Sequence, residues 1–236
     1  DLNLAFGSYK NVKGNDLSLG ELQKLDPLLH ADNPLKPLAS TLLKDPFYRK
    51  MYLAHVRQII EENFENGFYE RRAQELQGLI VVAFSEDQNK SYTLDDFQNS
   101  LKATIGKKSK IPGLTELMSK RIRFLKSHAE ISPLPPTVTE QKVAGREKMS
   151  NRTVNSYQIS LKADRFPKRV RVNYRFSPDQ SWQSMWMQEG TVSGGSREFS
   201  ANIEAKGEML EYYFIAENQG AVTFSPADYV NKPYSV

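Results

Sequence analysis

The chain has 236 residues, 39% hydrophobic and 25% charged, the balance expected of one or two globular domains. Its net charge of +4, shared evenly on either side of residue 131, is too small to indicate a nucleic-acid partner. Cysteine is absent, which excludes disulfides, thiolate metal ligands and a Cys nucleophile, and no apolar run approaches the ~20 residues of a membrane-spanning helix.

The chain opens on Asp1-Leu2-Asn3-Leu4-Ala5-Phe6-Gly7. An acidic residue, an alternating apolar stretch and a terminal Phe-Gly read as the end of a β-strand at a metal–phosphate site. Mg²⁺ is a hard cation that takes oxygen ligands and substrate phosphates, so Asp1 is a candidate ligand and Asn3 a second. Opening inside a motif, the chain reads as the C-terminal part of a longer protein.

Helical periods follow. Pro34 and Pro37 bracket the start of a short helix over 36–44. Asp45-Pro46 restarts the chain with an N-cap and a proline at the first helical position. Phe47, Met51, Leu53, Ala54, Val56, Ile59, Ile60 and Phe64 then form one stripe on a long helix that Gly67 stops. A second helix is expected with Phe68, Ala73, Leu76, Leu79, Ile80 and Phe84 as its core face. Thr93-Leu94-Asp95-Asp96 reads as a capped helix start followed by Phe97, Leu101 and Ile105. After the polar loop 106–110, Ile111-Pro112-Gly113 leads into a last helix carrying Leu114, Leu117, Met118, Ile122 and Leu125. Leu38, Leu42, Met51, Ile59 and Leu117 are core candidates.

The pattern changes near residue 132. Ser132-Pro133-Leu134-Pro135-Pro136 is too proline-rich for helix and reads as a stiff extended linker. Beyond it, 157–161, 170–176 and 199–203 alternate apolar and polar residues, Trp182 and Trp186 flank a further strand, and 210–216 and 221–224 are joined by the turn Glu217-Asn218-Gln219-Gly220. About seven short strands suggest an antiparallel sandwich of the immunoglobulin or fibronectin-III kind. The expected fold class is α+β in two domains: helical over 1–131, linker over 132–136, β-sandwich over 137–236.

Three segments carry a family resemblance. The opening seven residues, the stretch Pro37-Leu38…Leu42-Leu43-Lys44-Asp45-Pro46-Phe47-Tyr48-Arg49-Lys50-Met51-Tyr52, and Gly113-Leu114 followed by Lys120-Arg121-Ile122-Arg123-Phe124-Leu125 occur in the order found in the spore-coat-protein-H (CotH) kinase-like family. The resemblance implies that 1–131 is the mostly helical C-terminal part of an atypical kinase-like fold. The implied activity is ATP- and Mg²⁺- or Mn²⁺-dependent phosphorylation of protein Ser/Thr by a secreted or cell-surface protein of the bacterial envelope. Asp1 would match the metal-binding acid. Asn3 stands where a second acid is common and supplies only a neutral oxygen. The nucleotide-clamping Lys, its acidic partner and the catalytic Asp would precede Asp1, so this stretch by itself is expected to be inactive and to contain no catalytic residue. The alternative is a non-catalytic surface or coat protein whose sandwich is structural or binds a glycan or protein.

Plainer readings stand beside these. Tyr48 and Tyr52 share a helical face with Arg49 between them, which suits packing better than phosphate recognition. Lys107, Lys108 and Lys110 read as a solvated loop. His30, His55 and His128 have no metal-ligand spacing. Trp182, Trp186, Tyr212 and Tyr213 could form a carbohydrate platform, but a small sandwich needs such side chains in its core. Ser181, Ser184, Ser193 and Ser196 lack a Gly-x-Ser-x-Gly elbow.

Overall fold

The computed structural model describes residues 5–12, 14–107, 110–144, 148–149, 152–153, 156–206 and 209–236. Two compact units result: Asp1–Lys44 with His55–Ile131, and Asp45–Ala54 with Ser132–Val236.

In the first unit a short ladder pairs β1 (Asn11–Val12) with β2 (Asn15–Asp16). Helix α1 (Leu19–Gln23) starts at a capping box, with the Ser18 side chain accepting from the Glu21 N–H while the Glu21 carboxylate accepts from the Ser18 N–H. That box is legible as Ser18-Leu19-Gly20-Glu21, although periodicity does not announce so short a helix. Helix α2 (Pro37–Lys44) matches expectation. Helix α3 (Pro46–Ile59) begins on the expected cap: Asp45 Oδ1 accepts from the N–H groups of Phe47 (2.8 Å) and Tyr48 (3.2 Å). Its residues to Ala54 belong to the second unit and those from His55 to the first. It runs on as a π-helical segment, Ile60–Glu65, until Gly67 at φ +73° breaks it.

Helix α4 (Phe68–Glu86) lies where expected, but its expected core face is not buried: Leu79 is 75% exposed, Phe68, Leu76 and Ile80 are exposed too, and Ala73 and Phe84 are only half-buried. Leu38 (76%), Leu42 and Ile59 are likewise exposed, against expectation. Helical period shows that side chains share a face and leaves open what lies against it. The buried apolar side chains of this unit include Leu28, Ala31, Ile60, Leu117, Leu125 and Ile131, of which Leu117 is an expected core residue and Ile60 and Leu125 lie on expected apolar stripes. Helix α5 (Leu94–Asn99) keeps its Thr93–Asp96 capping box but stops before Leu101 and Ile105. The backbone there serves helix α6 (Leu114–Ser127): the carbonyls of Ser100 and Leu101 accept from the N–H groups of Leu114 and Thr115, and Ile105 and Ile111 exchange two hydrogen bonds. Such close approach requires glycine at 113, where a Cβ would lie 2.4 Å from the Ala103 nitrogen.

The second unit is an antiparallel sandwich. One sheet has the order β3 (Val138–Ala144), β6 (Ser156–Ala163), β10 (Ser196–Glu204), β9 (Gln188–Ser193). The other has β12 (Val222–Ser225), β11 (Glu211–Glu217), β7 (Arg169–Arg175), β8 (Gln183–Trp186), with β13 (Tyr234–Ser235) also pairing β11. A separate ladder joins β4 (Lys148–Met149) and β5 (Arg152–Thr153). Alternation places Ile159, Leu161, Val170, Val172, Phe199, Ile203, Tyr212 and Phe214 in the core. The opposite set on β11, Tyr213 and Ile215, joins Val222 and Phe224 in a second cluster completed by Phe47 and Ala54 of α3. Lys50 of the same helix bonds the buried Glu217 carboxylate at 2.8 Å, and Arg169 holds its other oxygen. The proline-rich segment 132–136 is part of this unit. Asn218 Nδ2 donates to the Leu134 carbonyl, Pro133 lies against Gly220, and Pro136 is fully buried.

Replacing Phe47 by Ala is expected to destabilise the sandwich by about 3–5 kcal/mol, since it removes a ring that closes the second cluster. Denaturant unfolding followed by tryptophan emission measures this, and a loss below about 1 kcal/mol would remove α3 from the sandwich core. Burial, then the neighbouring Tyr234 and Tyr229 respectively, pushes the Tyr212 and Tyr213 phenols up to about 12. Folding therefore favours the neutral phenols. Their contribution is fully present below the unfolded value of about 10 and is lost as pH rises through 12. Tyrosinate absorbance should show Tyr212 and Tyr213 among the late-titrating groups, with Tyr69 and Tyr229 also shifted upward by burial, and alkaline unfolding across that interval.

Candidate functional site

The motif that opens the sequence ends in a tight turn. The Ser8 N–H and hydroxyl both donate to the Ala5 carbonyl, the hydroxyl at 2.8 Å. Phe6 at φ +51° and Gly7 at φ +81° are consecutive left-handed residues. A non-glycine residue there costs roughly 1–2 kcal/mol, which the surroundings must offset. They do so through close seating. A Cβ on Gly7 would meet Leu22 of α1 at 3.1 Å, Pro112 at 3.2 Å and Leu117 of α6 at 3.4 Å. The Phe6 ring stands edge-on to Phe64 of the π-helical segment at 6.4 Å, and Phe64 touches Tyr69 at 5.2 Å.

The seat is itself cross-linked. Gln23 Nε2 donates to the Glu116 carbonyl (2.9 Å), Arg121 to the Leu25 carbonyl, and Lys126 pairs with Glu65. Arg57 donates through Nη2 to the Ile131 carbonyl at 2.8 Å. The turn is thus fixed by α1, α6 and the π-helical segment together. The sequence shows the Phe-Gly pair but gives no sign that Leu22, Phe64 and Pro112 converge on it.

The proposed metal ligands Asp1 and Asn3 lie outside the described residues. Among the described residues no group of three or more His, Cys, Asp or Glu side chains could hold a metal ion. The three histidines are apart: His30 faces Asn33, His128 lies 3.7 Å from Asp26, and the half-buried His55 has its pKa lowered by burial. Tyr48 and Tyr52 are exposed on α3. Lys10 donates to the Lys110 carbonyl, Lys107 borders an open hollow beside Asp96, and Lys108 lies outside the described residues. The four aromatics do not form one platform. Tyr212 and Tyr213 are buried on opposite faces, Trp182 stands edge-on to Tyr213, and Arg169 lies 4.1 Å over Trp186. Sequence reasoning missed Arg165 and Phe166, both at positive φ, of which Phe166 is 79% exposed.

A helical unit built on a clamped opening turn, followed by a two-sheet antiparallel sandwich, defines a two-domain α+β protein. The chain belongs to the CotH family: the family model described as CotH kinase protein matches residues 1–125. No curated protein matches the chain. Among solved structures, the chain is similar to the Br derivative of BhCBM56, at 16% identity over 39% of this chain and 98% of that one, TM-score 0.25. It is also similar to the carbohydrate binding module of the muscle glycogen-targeting subunit of Protein Phosphatase-1, at 13% identity over 59% of this chain and 88% of that one, TM-score 0.30. Likeness at this level leaves the sandwich to be read from its own strand order. No helix among the described residues is long and apolar enough to cross a membrane.

Gly7→Ala would place a Cβ at positive φ against three side chains. It should cost about 1–3 kcal/mol and loosen the turn, read as a lower melting temperature and faster amide exchange at Ser8. An unchanged melting temperature would show that the turn is not clamped.

Proposed function

We propose that the protein carrying this chain transfers the γ-phosphoryl group of ATP to serine or threonine hydroxyls of a protein substrate, as a secreted or cell-surface protein of the bacterial envelope. The observation that carries this reading is the CotH match over residues 1–125, which includes the opening motif, together with the rigid seat beneath Phe6-Gly7. In phosphoryl transfer the protein contributes chiefly position and charge neutralisation, so a strand end that bears a metal ligand must be held still. On this reading Asp1 and Asn3 would hold Mg²⁺ or Mn²⁺, which when bound neutralises phosphate charge. On this reading the helices of the first unit, which hold the turn at Phe6-Gly7, would serve as the buttress of the opening motif.

A second reading is a non-catalytic surface or coat protein with a binding sandwich. It is favoured by Phe166, an aromatic ring held open to solvent on a strained backbone. We read the sandwich as immunoglobulin-like: the orders β3-β6-β10-β9 and β12-β11-β7 correspond to the A-B-E-D and G-F-C sheets of that arrangement.

The test is incubation of the full-length protein with ATP and Mg²⁺ or Mn²⁺ and a protein substrate, with phosphorylated residues read by mass spectrometry, beside Asp1→Ala. Transfer that falls by 10²-fold or more in the variant supports the kinase reading and the role of Asp1. Transfer undiminished in the variant removes Asp1 from the site, and no transfer by either protein overturns the kinase reading.

A further inference from the structure

The loop between β6 and β7 holds the most constrained backbone of the sandwich. Arg165 (φ +60°) and Phe166 (φ +56°) are consecutive non-glycine residues in the left-handed region. Each costs about 1–2 kcal/mol unless its surroundings impose it. Here they are imposed from several sides. The Phe166 N–H donates to the Gly195 carbonyl (2.7 Å), the Lys168 N–H to the Glu217 carbonyl (2.7 Å), and the Arg165 carbonyl accepts from Asn218 Nδ2 (3.2 Å). Asp164 exchanges two hydrogen bonds with Thr137.

This framework presents an apolar ring outward. Phe166 is 79% exposed, while Pro167 beside it is buried. One edge of the ring lies over Gly195 in the β9–β10 turn, where a Cβ would stand 3.2 Å from the ring. Glycine suits this position both for its φ of +86° and for the close seating of the ring. The ring borders an open groove of about 460 Å³, within the range of roughly 300–1,000 Å³ typical of ligand sites. The groove also carries Lys168, Val192, Ser196 and the paired side chains of Glu189 and Arg197.

We propose that this groove is a binding site for an acidic polysaccharide. The proposal rests on the reading of the sandwich as a binding module and names its ligand class. A flat ring open to solvent along the wall of a shallow groove matches the apolar C–H face of a pyranose. A carboxylate beside a guanidinium, as in Glu189 and Arg197, accepts from one hydroxyl of a vicinal diol and donates to the next. With those two charges paired, Lys168 leaves the groove with one positive charge in excess, which selects sugars bearing carboxylate groups. The loop is fixed before binding, so little ordering entropy opposes a weak surface contact.

The test titrates the full chain with polygalacturonate, alginate and neutral galactan by calorimetry. Binding to at least one acidic polymer is expected, at least about tenfold weaker to galactan and weakened further by salt. Phe166→Ala should weaken it about tenfold or more, Phe166→Tyr should retain it, and Lys168→Gln should lower the preference for acidic over neutral chains. Unchanged melting temperatures separate these effects from misfolding, and loss in Phe166→Ala with rescue by Phe166→Tyr holds the site even if Ala perturbs the loop. Binding that persists undiminished in Phe166→Ala overturns the groove and leaves a binding module with another face. Equal binding of acidic and neutral chains overturns the selection by charge. Binding to none of the three polymers overturns the groove as an acidic-polysaccharide site and leaves the module reading to be tested with a protein partner.

Discussion

The outer face of the sheet β12-β11-β7-β8 must be covered, and the start of α3 covers it. Alternation along β11 commits Tyr212, Phe214 and Ala216 to the space between the sheets, and so commits Tyr213, Ile215 and Glu217 to the other side. Those residues are apolar or bear a carboxylate that cannot remain buried alone. Phe47 and Ala54 close over the apolar part, while Lys50 and Arg169 pair with Glu217. The sandwich is therefore completed by ten residues that precede it by about eighty positions, and its unit includes Asp45–Ala54.

The same helix continues into the first unit, and its character changes there. Beyond Ile59 the hydrogen-bond ladder widens into the π-helical segment, which turns Phe64 toward Phe6 and Tyr69 and lets Glu65 meet Lys126. The turn at Phe6-Gly7 depends on this arrangement and on the crossing of α1 and α6. Gly7 and Gly113 do related work: Gly7 takes a positive φ with side chains packed closely over it, and Gly113 admits backbone too close for any Cβ. One seats the opening motif and the other lets the chain at residues 102–103 pass the start of α6.

Glycine and strain recur at the sandwich loop. Phe166 keeps its exposed position because Gly195 leaves room and because hydrogen bonds hold the loop on either side of it. Phe6 and Phe166 are both aromatic residues at positive φ beside a glycine at positive φ, one in the turn that closes the opening motif and one on the groove of the sandwich. Among the described residues the non-glycine positive φ values are confined to Phe6 and the Arg165-Phe166 pair, each held in place by its surroundings.

The sequence by itself determined the division into helical and strand-forming halves, the Asp45-Pro46 start, the Gly67 stop, the capped start at Thr93 and six of the sandwich strands. Each of these follows from local chemistry: period, capping oxygen, proline geometry. The opening motif and two further segments also carried the family. Tertiary structure alone decided which apolar faces are buried, because a helix with one apolar stripe has the same sequence whether or not a partner lies against it, as Leu79 and Leu38 show. It decided that α5 ends at Asn99, since the next carbonyls are taken by the start of α6. It gathered Leu22, Phe64, Pro112 and Leu117 around Phe6-Gly7 and set Phe166 against Gly195. Those convergences join residues far apart in the chain, and periodicity, which compares only near neighbours, has no term for them.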